Sequence, residues 1–251
     1  MIRFKDLRKG ERMLKAVIFD FGGVISTSCW DPIEIGKIIM HVFSKYGKKL
    51  PSNFPKIFQE VSDKIFDKMR ETDLEYELKD FFIAALLKTG VVFENDILEE
   101  ALEVVRSASF CKIREEALPV LQKLKEMNLK VGLISNTPDV HPLRAILRDN
   151  LYDYFDAIVL SCWTRIRKPH PGIFKIALRK LDIDPSEAIY VGDIPKMDIL
   201  GAQNAGIRAV WIKAGESYWV GKGVTTLPED IKPDFVINNL WDLVELVMTL
   251  S

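Results

Sequence analysis

Residues 15–24 read Lys-Ala-Val-Ile-Phe-Asp-Phe-Gly-Gly-Val. An unbroken apolar run ends in a carboxylate, and two glycines follow one residue later. Continuous rather than alternating apolar residues mark a strand buried on both faces, as in a parallel sheet covered by helices. Six short apolar runs read as strands, most of them continuous in this way: Lys15–Asp20, Leu129–Ile134, Ala157–Leu160, Ala188–Gly192, Arg208–Ile212 and Asp234–Ile237. Helical patterns lie between several of them. Glu115–Met127 carries Leu118, Leu121 and Leu124 on one stripe, and Pro171–Leu181 carries Ile173, Phe174, Ala177 and Leu178 at helical spacing. Pro171 suits the first turn of its helix. Strands alternating with helices predict an α/β fold built on a doubly wound parallel sheet.

One interval breaks this rhythm. After the first strand no clear strand appears until beyond Glu115, and Asp31–Lys49, Phe54–Arg70, Asp73–Lys88 and Asp96–Ser107 all read as helices. Asp31, Asp73 and Asn95 suit N-caps, and Gly47 and Gly90 suit stops. The expected organisation is a core of residues 1–29 and 110–251 with an inserted helical module at 30–109, placed above the carboxyl end of the first strand. Trp30, Phe43, Phe54 and Phe58 are expected to pack inside that module. Residues 1–13 form a charged lead-in, and Met13 is an alternative start.

Composition narrows the function. The chain has 251 residues, 48% hydrophobic and 28% charged, with a formal net charge of −1. A balanced charge argues against nonspecific nucleic-acid binding, which needs a strong positive field. No apolar run reaches the roughly 18–20 residues of a membrane span, and no signal-type apolar core follows the basic N-terminus. A cytoplasmic location is the expectation. Cys29, Cys111 and Cys162 are too few and too dispersed for a metal site or a disulfide framework and read as isolated reduced thiols. Scarce Gln beside plentiful Lys and Glu leans toward a thermophilic source.

In open α/β sheets the ligand site forms beyond the carboxyl ends of the strands. The first run ends in Asp20 and is followed by Phe21-Gly22-Gly23. The second leads into Ser135-Asn136-Thr137, Arg167-Lys168-Pro169 follows the third, and the fourth leads into Asp193 with Asp198 five residues on. Each group has a chemical reading. Asp20 beside a glycine turn suits a nucleophile whose neighbouring backbone N–H groups hold an anion. Paired carboxylates suit Mg2+, which binds through one or two of them plus substrate phosphate. Ser135 and Lys168 suit donors to phosphoryl oxygens as charge builds.

The order of these segments resembles the haloacid dehalogenase-like hydrolase superfamily. AVIFDFGGV is similar to its first motif, LISNT to its second, RKPHPGIF to its third and VGDIPKMDILGAQNAG to its fourth, across roughly residues 15–215. The helical insertion after the first motif resembles the superfamily's C1 cap. The resemblance implies a Rossmann-like core and an aspartyl-phosphate formed on Asp20. It implies metal ligation by Asp20, the Gly22 carbonyl, Asp193 and, directly or through water, Asp198. It also implies substrate contacts from Phe21, Ser135, Asn136 and Lys168, with Lys168 steadying the nucleophile. The departure is Gly22, where the phosphatase pattern Asp-x-Asp places its general acid/base.

The function expected is a Mg2+-dependent phosphatase for a small phosphorylated metabolite. A carbon–halogen hydrolase with Asp20 attacking carbon is the alternative within the superfamily, and a noncatalytic module lacking the acid at Gly22 is the alternative outside catalysis. The physiological substrate and the oligomeric state stay open. His41, His141 and His170 are too scattered for a metal triad. Cys29 and Trp30 fall at the cap hinge, within reach of substrate, and Glu216–Lys222, with Tyr218 and Trp219, reads as a loop over the rim.

Overall fold

The computed structural model describes residues 13–27, 31–108, 111–213 and 226–250. Six strands, β1 (Ala16–Phe19), β2 (Lys130–Ser135), β3 (Ala157–Leu160), β4 (Ala188–Gly192), β5 (Arg208–Ile212) and β6 (Phe235–Ile237), form one parallel sheet in the order β3-β2-β1-β4-β5-β6. The chain builds outward from β1 to β3, then crosses back to place β4 on the other side of β1. The crevice between β1 and β4 is therefore the topological switch point, where ligands bind in this architecture.

Helices α1 (Pro32–Lys45), α2 (Phe54–Thr72), α3 (Leu78–Leu87) and α4 (Asn95–Ser107) occupy the interval after β1. The remaining helices are α5 (Ala117–Glu126), α6 (His141–Arg148), α7 (Ser161–Thr164), α8 (Pro171–Leu181), α9 (Leu200–Asn204) and α10 (Leu240–Leu250). Side chains of β1 alternate between two cores, as a pleated strand requires. Val17 and Phe19 join α5, α6 and α10 on one face, and Ala16 and Ile18 join α8 and α9 on the other. All four are fully buried. Burial of a side chain the size of Ile18 or Phe19 stabilises by about 1.5–3 kcal/mol. Two-sided burial is the physical reason for the unbroken apolar run.

Helices α1–α4 enclose a hydrophobic cluster of their own, with Phe43, Phe54, Phe58, Phe81 and Phe82 at its centre. Asp31 caps α1 by accepting from the Ile33 and Glu34 N–H groups. Gly47 and Gly90 carry positive φ angles at the ends of α1 and α3. The third of these helices differs from its sequence reading. Asp73 terminates α2 in a left-handed conformation, and α3 begins only at Leu78, behind a capping box formed by Glu77 and Asp80. The intervening segment is extended because it pairs with the core. Leu74 and Ile166 form an antiparallel bridge, the Glu75 N–H donates to the Arg165 carbonyl, and the Arg167 N–H to that of Asp73. Asn95 is the first residue of α4 rather than its cap. On α5 the buried stripe is Ala117, Val120, Leu121 and Leu124, and Leu118 is exposed.

The segments leading into and out of the α1–α4 interval run side by side. The Thr27 N–H donates to the Lys112 carbonyl, and the Arg114 N–H to that of Ile25. Cys111 is disulfide-bonded, which corrects the expectation of three isolated thiols, and Cys162 is a free thiol. Cys29, Trp30, the boundaries expected near residues 29 and 110, and the Glu216–Lys222 loop lie outside the described residues.

Candidate active site

The first strand delivers Asp20 to the switch point in a fixed register. Phe19 lies opposite Val191, and the Asp20 N–H donates to the Val191 carbonyl. Beyond Asp20 the chain reverses tightly. The Phe21 carbonyl accepts from both Ile25 and Ser26, while the Gly23 N–H returns to the Ser26 carbonyl. The Phe21 ring is buried in the core, so only its backbone is available to the site, and its N–H donates to the Asp20 carboxylate.

Two glycines are required by close approach. A Cβ on Gly23, whose φ is +82°, would lie 2.2 Å from Asp193 Oδ2. A Cβ on Gly192 would lie 2.2 Å from the Asp198 Cβ. Gly22 is different. Its φ lies outside the left-handed region, and an added Cβ would meet nothing within 4 Å.

The segment after β4 aims Asp198 back at the sheet. Residues Pro195–Ile199 form a π-helical turn ahead of α9, a widened turn often found at functional sites. Asp198 Oδ2 accepts from the Ile194 N–H at 2.9 Å. Its Oδ1 accepts from Lys168 Nζ at 2.6 Å and from the Tyr190 hydroxyl at 3.1 Å.

Lys168 stands at the centre of the constellation and is 2% exposed. Its ammonium also reaches Asp20 Oδ1 at 2.7 Å and the Tyr190 hydroxyl at 2.8 Å. Asn136 fixes the lysine's backbone from both sides. Its Nδ2 donates to the Lys168 carbonyl at 2.9 Å, and its Oδ1 accepts from the Lys168 N–H at 2.8 Å. The Asn136 amide thus positions the loop that carries Lys168. Ser135 closes β2 and is buried. His170 is occupied at the head of α8, where its Nδ1 accepts from the Gly172 N–H.

Burial dominates the electrostatics. It pushes the Asp20 carboxyl up to about 7, against the opposing pull of Lys168. It also raises Asp193 well above the carboxylate range, helped by repulsion from Asp198 and Asp20. Burial alone would lower the Lys168 ammonium, but Asp198 and Asp20 outweigh it and raise the group.

A divalent cation fits this surplus of negative charge. Asp20, Asp193 and Asp198 each offer a carboxylate oxygen, and these atoms lie within 4.8 Å of one another. Asp193 Oδ1 is buried without a hydrogen-bond partner, a costly state that a cation would relieve. An all-oxygen donor set suits Mg2+.

Sequence reading missed Tyr190 and the Glu75–Arg167 contact. Tyr190 had a signal, because a hydroxyl on a strand buried on both faces must find a partner. Glu75 and Arg167, 3.7 Å apart and both buried, join the α2–α3 connection to the segment before Lys168. That contact depends on how distant segments of the chain meet, which no local pattern encodes.

An α/β sheet with a carboxylate–lysine cluster at its switch point and a helical insertion behind β1 defines a class of hydrolase. The haloacid dehalogenase-like hydrolase model matches residues 14–206, and the chain belongs to that family. It is 32% identical over 180 residues to a glyceraldehyde 3-phosphate phosphatase of Pyrococcus abyssi (strain GE5 / Orsay), an alignment covering 71% of this chain. The chain spans 64% of that relative's length. It is 31% identical over 238 residues to the pyrophosphatase PpaX of Bacillus anthracis (strain CDC 684 / NRRL 3495), covering 95% of this chain and 98% of the other. The crystal structure of a 2-haloacid dehalogenase from Pseudomonas syringae pv. Tomato DC3000 superposes with a TM-score of 0.71 at 25% identity, covering 95% of this chain and all of that one.

Proposed function

We propose that the protein is a Mg2+-dependent phosphatase for a small phosphorylated metabolite, working through an aspartyl-phosphate on Asp20. The observation that carries this reading is the triad of Asp20, Asp193 and Asp198 beside the Lys168 ammonium. Phosphatase-named relatives support it. Residues 30–109 are read as the cap that selects substrate, supported by the separate hydrophobic cluster of α1–α4.

Asp20, Asp193 and the Gly22 carbonyl would hold the metal, with Asp198 direct or through water. Bound there, Mg2+ supplies charge neutralisation between the carboxylates and a phosphate dianion. Lys168 orients the Asp20 carboxylate and donates to phosphoryl oxygens as charge develops, and Ser135 adds a second donor. Asp20 Oδ attacks phosphorus, the bond to the leaving oxygen breaks with its electron pair, and water then cleaves the aspartyl-phosphate to release phosphate and restore Asp20.

No helix among the described residues is long and apolar enough to cross a membrane. A cytoplasmic location belongs to the same reading. A disulfide at Cys111 accords with it if the source is hyperthermophilic, since intracellular proteins of such organisms carry disulfides.

Phosphate release from p-nitrophenyl phosphate tests the proposal. Turnover that requires Mg2+ and disappears in Asp20→Asn is expected. Undiminished turnover after EDTA treatment contradicts it. A second reading, a carbon–halogen hydrolase, is favoured by the dehalogenase superposition. Metal-independent chloride release from a 2-chloroacid would establish that reading instead.

A further inference from the structure

Two loops supply the phosphoryl donors in the phosphatase reading above, on which this inference rests. One carries Ser135 and Asn136 at the end of β2, and the other carries Lys168 ahead of α8. A donor misplaced by about 1 Å can cost about 10²-fold in rate. The Asn136 amide joins the two loops to each other. Glu75, which comes from the α2–α3 connection, reaches both of them.

The first route runs through Ser161. Strands β2 and β3 end in register, with Ser135 opposite Leu160, which brings Ser161 against the first loop. The Thr137 N–H donates to Ser161 Oγ at 2.8 Å, and that hydroxyl donates to Glu75 Oε2 at 2.5 Å. All three residues are buried, Ser161 completely. A serine hydroxyl has one proton. While Glu75 takes it, the serine oxygen turns a lone pair to the Thr137 N–H. Without a carboxylate at position 75 that proton would turn toward the Thr137 carbonyl, 3.2 Å away. The second route is direct: Glu75 Oε1 lies 3.7 Å from Arg167 Nη1, on the neighbour of Lys168. The connection is pinned to both loops through its backbone as well. The Arg167 N–H donates to the Asp73 carbonyl, and the Leu78 N–H to the Pro138 carbonyl.

Stability alone does not account for the Glu75–Arg167 pair. Desolvation of two buried charges offsets their attraction, and apolar groups of like volume often serve as well. This pair is also incompletely satisfied, since Glu75 Oε1 and Arg167 Nε and Nη1 are buried without a hydrogen-bond partner. What the carboxylate supplies and an apolar group cannot is direction. We propose that Glu75 is a positioning residue for phosphoryl transfer. It acts through Ser161 on the loop of Ser135 and Asn136, and through Arg167 on Lys168. Donors that act as charge develops in the transition state raise kcat rather than lower KM, so their misplacement lowers kcat.

The test compares the Mg2+-loaded full-length enzyme with Ser161→Ala and with the double variant Glu75→Leu/Arg167→Met. Substrates are p-nitrophenyl phosphate and acetyl phosphate, and stability is read by urea unfolding. The double variant replaces both charges by apolar groups of similar volume, which should leave stability near wild type. Its kcat should nonetheless fall by about 10–100-fold, by the same factor on both substrates and with KM little changed. Ser161→Ala should fall similarly, and adding it to the double variant should cost nothing further, because the groups act as a unit. A folded double variant with wild-type kcat would overturn the proposal. So would a loss confined to one substrate, which would mark selection of the leaving group instead. If the double variant fails to fold, Ser161→Ala decides alone, because it leaves the Glu75–Arg167 pair in place; wild-type kcat there overturns the proposal. Failure of the phosphatase reading itself looks different: Asp20→Asn would then hydrolyse p-nitrophenyl phosphate as fast as the wild type.

Discussion

The Tyr190 hydroxyl lies 2.8 Å from Lys168 Nζ and completes the ammonium's set of oxygen partners. Because the same hydroxyl donates to Asp198 Oδ1, it ties the lysine of one loop to the carboxylate of another. The ring is held independently by edge-on packing against Phe174, with centroids 5.1 Å apart. Tyr190→Phe should therefore keep the packing and lose only the tie. Removing a hydrogen bond to charged groups costs about 1.5–3 kcal/mol. Urea unfolding should show that loss, and kcat should fall while KM changes little. A variant with wild-type stability and kcat would show that Lys168 is positioned without the hydroxyl.

Asp20→Asn keeps the shape of the side chain and removes the attacking charge. Turnover should fall to less than about a hundredth of wild type, since covalent chemistry has no substitute nucleophile. Circular dichroism should show an unchanged fold. More than about a tenth of wild-type activity would contradict the covalent role.

The raised carboxyls make the metal-free protein sensitive to pH. Asp20 titrates at about 7 in the folded chain, and Asp193 is also raised, whereas carboxylates in an unfolded chain titrate near 4. Between these values the folded state binds more protons than the unfolded one, so stability declines as pH rises. Tm of the EDTA-treated protein should drop from about pH 5 to about pH 8. Mg2+ needs the ionised carboxylates, so the rise in Tm it causes should be larger at the higher pH. Calorimetry at the two pH values, with and without Mg2+, checks this, and an equal rise at both would contradict the proposed ligand set.

Gly23→Ala places a methyl group 2.2 Å from Asp193 Oδ2 at a φ of +82°. Left-handed backbone at a non-glycine residue costs about 1–3 kcal/mol, and the carboxylate must also move. The Mg2+ concentration for half-maximal rate should rise at least about tenfold. An unchanged Mg2+ requirement in Gly23→Ala would contradict the role of Asp193 as a ligand.

Glu75, in the α2–α3 connection, and Arg167, in the segment before Lys168, form a buried pair. Burial raises the Glu75 carboxyl and lowers the Arg167 guanidinium, each opposed by the attraction of the other. Removing one partner of such a pair costs about 3–5 kcal/mol. Glu75→Ala should lose stability on that scale and speed proteolysis between α2 and α3. Unchanged stability and protease resistance would mean that the contact does not hold the α2–α3 connection in place.

Much of the architecture was legible because it rests on local chemistry. Ala157–Leu160, Ala188–Gly192, Arg208–Ile212 and Pro171–Leu181 have the bounds expected of them. A strand covered on both faces must be apolar throughout, and Pro171 opens a helix wherever it can. The carboxylates at strand ends were legible for the same reason, since charged groups at the end of an apolar run can lie only at the rim of the sheet. What the tertiary structure decided is everything that depends on approach between distant segments. It placed Asp20 and Asp193 just beyond the ends of adjacent strands at the switch point, turned the Asn136 amide onto the Lys168 backbone, and gave Tyr190 its partners. It stretched residues 73–77 out of a helical pattern, because pairing with Ile166 replaced the hydrogen bonds a helix would have made. It also separated two glycines that look alike in the sequence. Gly23 is held by its φ and by Asp193, whereas Gly22 faces open space, and that difference arises only when the far ends of β1 and β4 meet.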